Sequence, residues 1–216
     1  MPRRRMDSRD TQQGQRAIRE EYDRLAPDYD QRWSFYVRET LKATVERLDL
    51  SGCRLLLDIS CGTGALSERL ASQDRPITSV GLDLCRRMLG AAKAKFDSRF
   101  ACVNATAQEI PFSDESFDQV VCCNAFHYYR NPEQCLAEMK RVLKSGGHIL
   151  ITDWCDDYLA CKICDFFLRI FNAAHFRTYG ARRCEALLKA AGFSRVNVET
   201  FRINWLWGMM TARAER

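Results

Sequence analysis

The chain has 216 residues, of which 46% are hydrophobic and 28% are charged, with a formal net charge of +5. These proportions are typical of a folded globular domain and exclude wholesale disorder. No run approaches the roughly 18 apolar residues of a membrane-spanning helix, and we expect no secretory signal. The 11 cysteines fall short of the roughly 8–10% that marks a disulfide scaffold, so we expect reduced thiols and a cytoplasmic location.

The first 50 residues divide into two parts. Residues 1–16 are polar and rich in arginine, and we expect them to form a flexible basic tail before a single domain at 17–216. Between residues 17 and 50 the apolar side chains recur every three to four positions, which predicts helices. Pro27 must interrupt that helical pattern, because proline removes a backbone donor and clashes with the preceding turn.

Short apolar runs then alternate with helical stretches as far as residue 152. The predicted strands are Leu55–Ile59, Ile77–Leu82, Phe100–Val103, Phe117–Cys123 and His148–Thr152. The predicted helices between them are Ala65–Ser72, Cys85–Lys95 and Pro132–Leu143. Because the strands are apolar on both faces, the pattern predicts an α/β fold with a doubly wound parallel sheet. A helix at 182–191 and strands at 196–198 and within 201–212 complete the domain.

The most informative segment, Asp58–Gly64, runs from the first predicted strand into a helix. Gly62 and Gly64 permit a sharp turn and the close approach of a ligand, and the helix that follows offers free N–H groups. Asp83 ends the second strand about 20 residues later, where an acidic residue binds ribose hydroxyls in nucleotide-binding folds. The segment therefore predicts a site for a nucleoside-like ligand.

Two features narrow the identity of that ligand. Ser67 occupies the place of the third glycine in the dinucleotide fingerprint, which disfavours a nicotinamide enzyme, and the chain lacks the Gly-Lys-Ser/Thr of an ATP-binding loop. The carboxyl group of Asp58 suits a cationic ligand that carries an amino acid better than it suits a phosphate. An adenosine ligand without a pyrophosphate is what remains.

At this point the sequence resembles the class I S-adenosylmethionine-dependent methyltransferases, and in particular their ubiquinone/menaquinone-biosynthesis-like branch (methyltransferase type 11). Five segments resemble family motifs in the family's order: Tyr22–Asp30, Asp58–Gly64, Gly81–Leu89, Ile110–Asp118 and Glu138–Gly147. The resemblance implies a Rossmann-like seven-stranded sheet with the last strand antiparallel. It also implies S-adenosyl-L-methionine as the cofactor and S-adenosyl-L-homocysteine as the product.

The resemblance further implies which residues form the cofactor site. Asp58, Gly62 and Gly64 would hold the methionine part of the cofactor, and Asp83 would bind the ribose. Leu84 and Met88 would flank the adenine. Thr106 stands where the family often has an acidic residue before an alanine. The predicted cofactor-binding residues are Tyr22, Asp58, Ser60, Cys61, Gly62, Thr63, Gly64, Asp83, Leu84, Met88, Thr106, Ala107, Gln108 and Asn124.

Three residues are candidates for catalysis or acceptor binding. His127 follows the fourth strand, and Asp153 ends the fifth, at the edge of the sheet where ligands of such folds bind. Tyr29 belongs to the segment 17–50, which covers the cofactor site in the family that the chain resembles. The alternatives are a packing role for His127 at a helix start and a core position for Tyr29.

Residues 154–180 form a variable insertion that we expect to select the acceptor. Its apolar side chains lie nearly all round a helix, so it either covers the sheet as a buried helix or closes over an acceptor pocket as a lid. We predict the lid. The pocket would be formed by residues 20–36, the loop after Asn124 and the helix at 155–172, around a small apolar or aromatic acceptor.

Cysteines in the same insertion leave an alternative open. Cys155, Cys161 and Cys164, with Cys184 beyond, either pack as small hydrophobic residues or assist methylation of a soft metalloid such as arsenite. We predict no metal centre, because one C-x-x-C pair is not a four-ligand site. Nucleic-acid methylation is disfavoured, since Asn124–His127 lacks the Asn-Pro-Pro-aromatic run used on adenine amines. A non-catalytic cofactor-binding protein is a further alternative.

Overall fold

The computed structural model describes residues 8–72, 77–96 and 100–216, which build a seven-stranded sheet. Its strands are β1 (Leu55–Ile59), β2 (Thr78–Asp83), β3 (Cys102–Asn104), β4 (Phe117–Cys123), β5 (Leu143–Trp154), β6 (Ser194–Arg202) and β7 (Gly208–Glu215). They lie in the order β3-β2-β1-β4-β5-β7-β6. The strand β7 runs antiparallel to β5 and β6, and the other pairs are parallel. The predicted fold class is therefore confirmed.

Helices cover both faces of this sheet. They are α1 (Ser8–Leu25), α2 (Tyr29–Arg32), α3 (Ser34–Arg47), α4 (Ala65–Ala71), α5 (Arg86–Lys95), α6 (Pro132–Val142), α7 (Leu159–Phe171) and α8 (Ala181–Ala190), with a 3-10 turn at Phe126–Tyr128. Side chains alternate across the sheet, so Leu57 packs in the core with Leu136 of α6, and Leu56 packs on the other face with Leu41 of α3. Alternation of this kind explains why the strands are apolar throughout.

The N-terminal region corrects one prediction. Residues 8–16 belong to α1, so the expectation of a flexible tail is wrong for them, and residues 1–7 of that predicted tail lie outside the described residues. The side chain of Gln15 hydrogen-bonds to residues after β3, which fixes this polar stretch in place. The helix ends at Leu25, shortly before Pro27, as expected.

Strand bounds differ most from prediction at β5. The sequence predicts a strand at His148–Thr152, whereas β5 begins at Leu143 and ends at Trp154. Gly146 has a φ of +73°, and a Cβ at Gly147 would lie 2.9 Å from the Lys144 carbonyl oxygen, so the glycines form an irregularity within the strand. The pairing with β4 shifts register at the same place. The turn residues therefore interrupt the ladder without ending it.

Within residues 8–72, 77–96 and 100–216, no helix combines the length and the apolar character needed to cross a bilayer. The helix α7 is apolar but has only 13 residues.

Candidate active site

The glycine loop between β1 and α4 forms the floor of the site. Ser60, Gly62 and Gly64 all have positive φ angles, of 60°, 55° and 76°. A Cβ on Gly64 would lie 3.1 Å from the Phe96 ring, whereas a Cβ on Gly62 would meet nothing within 4 Å. Gly64 thus allows close packing on α5, and Gly62 supplies the left-handed turn beside open space. A strained non-glycine residue such as Ser60 is typical of functional loops.

Asp83 braces this loop from the neighbouring strand. One carboxylate oxygen accepts a hydrogen bond from the Gly62 N–H at 2.8 Å, and the other accepts from the Cys85 N–H at 2.8 Å. The carboxyl is 7% exposed, and burial raises its pKa although both N–H donors oppose that change. Asp83 therefore connects the loop after β1 with the residues after β2.

Asp58 contributes a buried carboxyl group beside the glycine loop. It is 2% exposed, and its Oδ2 atom has no hydrogen-bond partner among the described residues. Burial, and then the charge of Asp83, raises the pKa of Asp58 to about 8. Buried polar atoms are nearly always paired, so an unpaired carboxyl oxygen beside a ligand loop fits a cationic group supplied by a ligand.

A pocket of about 850 Å³, which includes its open mouth, lies at the carboxyl ends of the parallel strands. The residues directly after β1, β2, β3 and β4 all line it: Ser60, Leu84, Ala105 and Asn124. The order of strands reverses between β1 and β4, and ligands of open α/β sheets bind at such a switch point.

Most of the predicted cofactor residues line this pocket. On its wall are Tyr22, Ser60, Gly62, Asp83, Leu84, Met88, Thr106, Ala107, Gln108 and Asn124, together with Tyr29 of the catalytic set. Four predicted residues lie behind the wall: Asp58, Cys61, Thr63 and Gly64. Of these, Thr63 donates a hydrogen bond to Asp30 at 2.5 Å, which ties the loop to α2.

The helix α1 forms the roof of the pocket. The polar contacts that Gln15 makes there were not predicted from the sequence. Gln15 Nε2 donates to Thr106 Oγ1 at 3.1 Å and to Gln108 Oε1 at 2.6 Å. Ile18 also lines the pocket, one turn before Tyr22. The apolar period of this helix indicated Ile18 and Tyr22, but nothing in the sequence marked Gln15 apart from other tail residues.

Tyrosines form the aromatic side of the pocket. The ring of Tyr22 lies 5.9 Å from that of Tyr29 and 5.5 Å from that of Tyr128, measured between centroids. The Tyr22 hydroxyl donates to the Tyr128 hydroxyl at 2.6 Å, and Ser60 and Tyr129 share a hydrogen bond of 2.9 Å. Burial raises the pKa of all four phenols. The raised pKa values disfavour the phenolate form, so these tyrosines are poor candidates for a general base.

His127 and Asp153 lie together but not on the pocket wall. His127 Nδ1 is 2.7 Å from Asp153 Oδ1, and the His127 backbone N–H donates to Asp153 Oδ2 at 2.9 Å. Both side chains are buried. The imidazole packs 4.0 Å from the ring of Tyr128, which does line the pocket. The prediction that this pair touches the acceptor therefore gains no support, and the packing alternative for His127 describes its position.

Asn124 is held from α3. Its side-chain oxygen accepts from the Tyr36 hydroxyl at 2.7 Å, and its amide donates to Thr40 Oγ1 at 2.8 Å. Its φ of 58° is that of a left-handed residue. The Trp154 indole N–H donates in turn to the Tyr36 hydroxyl. This network links the ends of β4 and β5 and fixes one wall of the pocket.

The predicted acceptor lid gains no support from the position of α7. None of its residues lines the pocket at the switch point. Its large apolar side chains face solvent instead, and Cys161 is its only residue classed as buried. It is therefore neither a lid over that pocket nor a helix buried on the sheet.

The thiols of this region are packing groups in the structure. Cys161 Sγ lies 3.3 Å from both the carbonyl and the amide of Gly208. Burial raises the pKa of Cys155 and of Cys184 to about 12, so both are uncharged and poorly suited to capture a metalloid. Within the described parts of the chain, no group of three or more His, Cys, Asp or Glu side chains is placed to hold a metal ion.

Comparison with known proteins agrees with this geometry. Residues 57–151 match the model of a methyltransferase domain family. The matched segment spans β1, the glycine loop, Asp83 and the strands as far as β5. Residues 57–151 are a methyltransferase domain of the class I, S-adenosylmethionine-dependent family. Members of this family use S-adenosylmethionine, so the predicted family and cofactor are confirmed.

Relatives of this methyltransferase domain act on several acceptors. A fatty-acid O-methyltransferase of Mycolicibacterium smegmatis is 35% identical over 55% of this chain and 43% of its own. A ubiquinone/menaquinone biosynthesis C-methyltransferase of Syntrophotalea carbinolica is 31% identical over 62% of this chain and 59% of its own. The chain thus spans about half the length of these curated relatives.

A solved structure shows the same fold. A Haloferax volcanii methyltransferase, determined in complex with a methyltransferase activator, superposes with a TM-score of 0.79 at 19% sequence identity. The match covers 90% of this chain and 97% of that one. The fold of the methyltransferase domain therefore extends to nearly the whole chain.

Proposed function

We propose that the chain transfers the methyl group of S-adenosylmethionine to a small apolar or aromatic acceptor. The observation that carries the proposal is the pocket at the switch point, which is lined by the glycine loop, by Asp83 and by tyrosines, with the unpaired buried carboxyl of Asp58 behind its wall. Apolar acceptors are also named for the relatives, which methylate a fatty acid and take part in quinone synthesis.

The residues present suit the cofactor part by part. The unpaired oxygen of Asp58 suits the ammonium of the methionine moiety, because a nearby cation stabilises the charged carboxylate. Each Asp83 oxygen has already accepted one backbone N–H and retains a lone pair for a ribose hydroxyl. Leu84 and Met88 offer apolar surface for the adenine. The side chains of Thr106 and Gln108, which Gln15 now engages, supply polar atoms near the base.

Catalysis of methyl transfer depends mainly on the positioning of the methyl donor and the acceptor. The bound cofactor supplies a methyl group on a positively charged sulfur that is already reactive toward nucleophiles, so holding the reactants in line provides much of the catalysis. Here α1 and α2 cover the pocket and exclude water. The tyrosine rings offer neutral aromatic faces, which attract a cation. Tyr29, the one predicted catalytic residue on the wall, contacts the bound reactants in this proposal.

His127 and Asp153 act as positioning residues in this proposal. Asp153 fixes both the backbone and the ring of His127, and the ring supports Tyr128 in the wall. We expect His127→Ala to raise the KM of the acceptor more than it lowers kcat, and His127→Asn to restore part of the loss. A fall in kcat alone, with a shifted pH profile, would instead make His127 a base.

The experiment that tests the function measures S-adenosylhomocysteine by mass spectrometry. Purified protein is incubated with S-adenosylmethionine and a panel of fatty acids, hydroquinones and phenols, with arsenite as a metalloid arm. Acceptor-dependent product supports methyl transfer. Tight cofactor binding in a calorimeter without product from any acceptor would favour the non-catalytic alternative. Preferential binding of NAD would refute the assignment of the site.

A further inference from the structure

The helix α7 carries an apolar face that the rest of the described chain leaves open. Its exposed large side chains are Leu159, Ile163, Phe166, Phe167, Ile170 and Phe171, each more than half exposed. Most of these positions are separated by three or four residues or multiples of a turn, so they share one side of the helix. The helix is about 20 Å long at 1.5 Å per residue. We call this surface the α7 face.

The opposite side of α7 holds the helix to the protein. Cys161 packs on the backbone of Gly208, and Asp165 accepts hydrogen bonds from the Thr178 N–H at 2.6 Å and pairs with His175 at 2.8 Å. The inward side thus includes small and polar side chains together with Leu168, while the outward side consists of large apolar side chains. That distribution is the reverse of an ordinary surface helix, and contiguous apolar patches of this kind mark interaction sites.

Basic and aromatic groups border the α7 face. Lys162 and Arg169 lie along one edge of the helix and are exposed, and Arg169 has only a 3.9 Å contact with Asp165. At the start of the helix, a groove is lined by Arg202 and by Trp205, which is 80% exposed. The one acidic residue of α7, Asp165, is on the inward side. The border of the face is therefore cationic.

We propose that the α7 face docks on the surface of an anionic lipid bilayer. A helix with an apolar side, bordering lysine or arginine and a tryptophan is the arrangement that lies in a membrane interface. The charges favour this occupant over a second copy of the chain, because a symmetric pair would bring two basic edges together. Anionic headgroups would instead neutralise them.

Docking would also act on the pocket. Asn172, directly after α7, donates to Glu21 of α1 at 3.1 Å, and α1 is the roof of the pocket. A helix lying in the headgroup layer would therefore hold the roof beside the lipid, where apolar acceptors partition. The inference does not rest on methyl transfer, because the α7 face shares no residue with the pocket wall.

The test is flotation of the full-length protein with vesicles. We expect binding to phosphatidylcholine vesicles that contain about 30% phosphatidylglycerol, much weaker binding to phosphatidylcholine alone, and a decrease with added salt. The double variant Phe166→Ser with Ile170→Ser should bind at least about a hundredfold more weakly, because each buried apolar side chain contributes about tenfold or more. Phe35→Ser on α3, an exposed apolar residue outside the face, is the matched control and should bind normally.

A second pair of variants tests the charges without altering the apolar side chains. Lys162→Gln with Arg169→Gln should remove most of the preference for anionic vesicles, whereas Lys189→Gln on α8 should not. Circular dichroism and S-adenosylhomocysteine affinity should match the wild type in the variants of α7 and α8, which separates this test from that of the proposed function. Wild-type protein that does not float with anionic vesicles would overturn the proposal. So would a dimer in sedimentation velocity that the Phe166/Ile170 change abolishes.

Discussion

The switch point of the sheet and the helix α7 depart from the usual distribution of side chains in opposite directions. At the switch point the carboxyl groups of Asp58 and Asp83 are buried. On α7 the rings of Phe166 and Phe171 are in solvent. Buried carboxyl groups and exposed apolar surface both cost folding free energy. In the functions proposed above, the first cost would serve the cationic group of a bound ligand, whereas the second would serve an extended surface.

The largest effect we predict separates a core phenylalanine from one on α7. Phe126→Ala should lower the free energy of unfolding by about 3–5 kcal/mol, because its ring is fully buried and its loss leaves a cavity. Phe167→Ala should change it by no more than about 0.5 kcal/mol, as for other surface substitutions. Urea denaturation measures both. Equal losses would show that α7 packs inward in solution and would remove the basis of the α7 face.

The next effect concerns Asp83, the carboxylate that is proposed to bind the ribose hydroxyls. Asp83→Ala should weaken S-adenosylhomocysteine binding by about 10- to 150-fold, because a hydrogen bond to a charged group contributes about 1.5–3 kcal/mol. Isothermal titration calorimetry gives the affinity. Asp114→Ala, which removes an exposed carboxylate far from the pocket wall, is the control and should bind normally. Unchanged affinity in Asp83→Ala would mean that the ligand site lies elsewhere.

A further effect follows from the raised pKa of Asp58, and its sign differs between stability and binding. Folding raises this pKa from 3.8 to about 8, so the unfolded chain binds fewer protons between those values and stability falls as pH rises from about 4 to about 8. Asp58→Asn should remove that fall and raise Tm at pH 8, by about 2–4 °C for each kcal/mol gained.

Binding should change with pH in the other direction. A ligand ammonium favours the ionised carboxylate, so the affinity of the wild type for S-adenosylhomocysteine should increase as pH approaches 8. Asp58→Asn should bind more weakly with little change between pH 6 and 8.5. Calorimetry in two buffers of different ionisation enthalpy would detect the released proton. An affinity that is independent of pH in both proteins would remove Asp58 from the cofactor site.

The smallest effect is at the roof. Gln15→Ala removes two neutral hydrogen bonds between α1 and the residues after β3, each contributing about 0.5–1.5 kcal/mol. We expect a two- to tenfold loss of cofactor affinity, on the order of one such bond. Gln12→Ala, an exposed residue of the same helix, should have no effect. Equal behaviour of the two variants would show that the roof does not contribute to binding.

Prediction from the sequence succeeded where the local hydropathy pattern was enough to determine how a segment packs in the fold. The bounds of β1 and β4 were predicted to the residue, because strands that are apolar on both faces have only one place in a sheet. The period of α7 indicated a helix, but a helical period does not tell which side faces the protein. The side that packs inward was set by Cys161, whose partner Gly208 is 47 residues away, and by Asp165, whose partners His175 and Thr178 lie in the segment after the helix.

The same contrast between local motifs and contacts distant in sequence applies to the residues of the pocket. Gly62, Asp83 and Met88 were found because their motif is local and ordered. Gln15 was missed because its partners, Thr106 and Gln108, are about 90 residues away, and no local signal marks such a contact. His127 was placed at the correct strand end, yet its depth behind the wall depends on the pairing with Asp153 and the packing of Tyr128, which only the folded chain defines.

The hydrogen bonds of Gln15 have a consequence for the timing of the reaction cycle. They join α1 to the residues expected to face the adenine, so breaking them would open the pocket on that side. Movements of a covering segment of this kind take place over microseconds to milliseconds. The rate at which product is exchanged for fresh cofactor would then depend on this motion of α1.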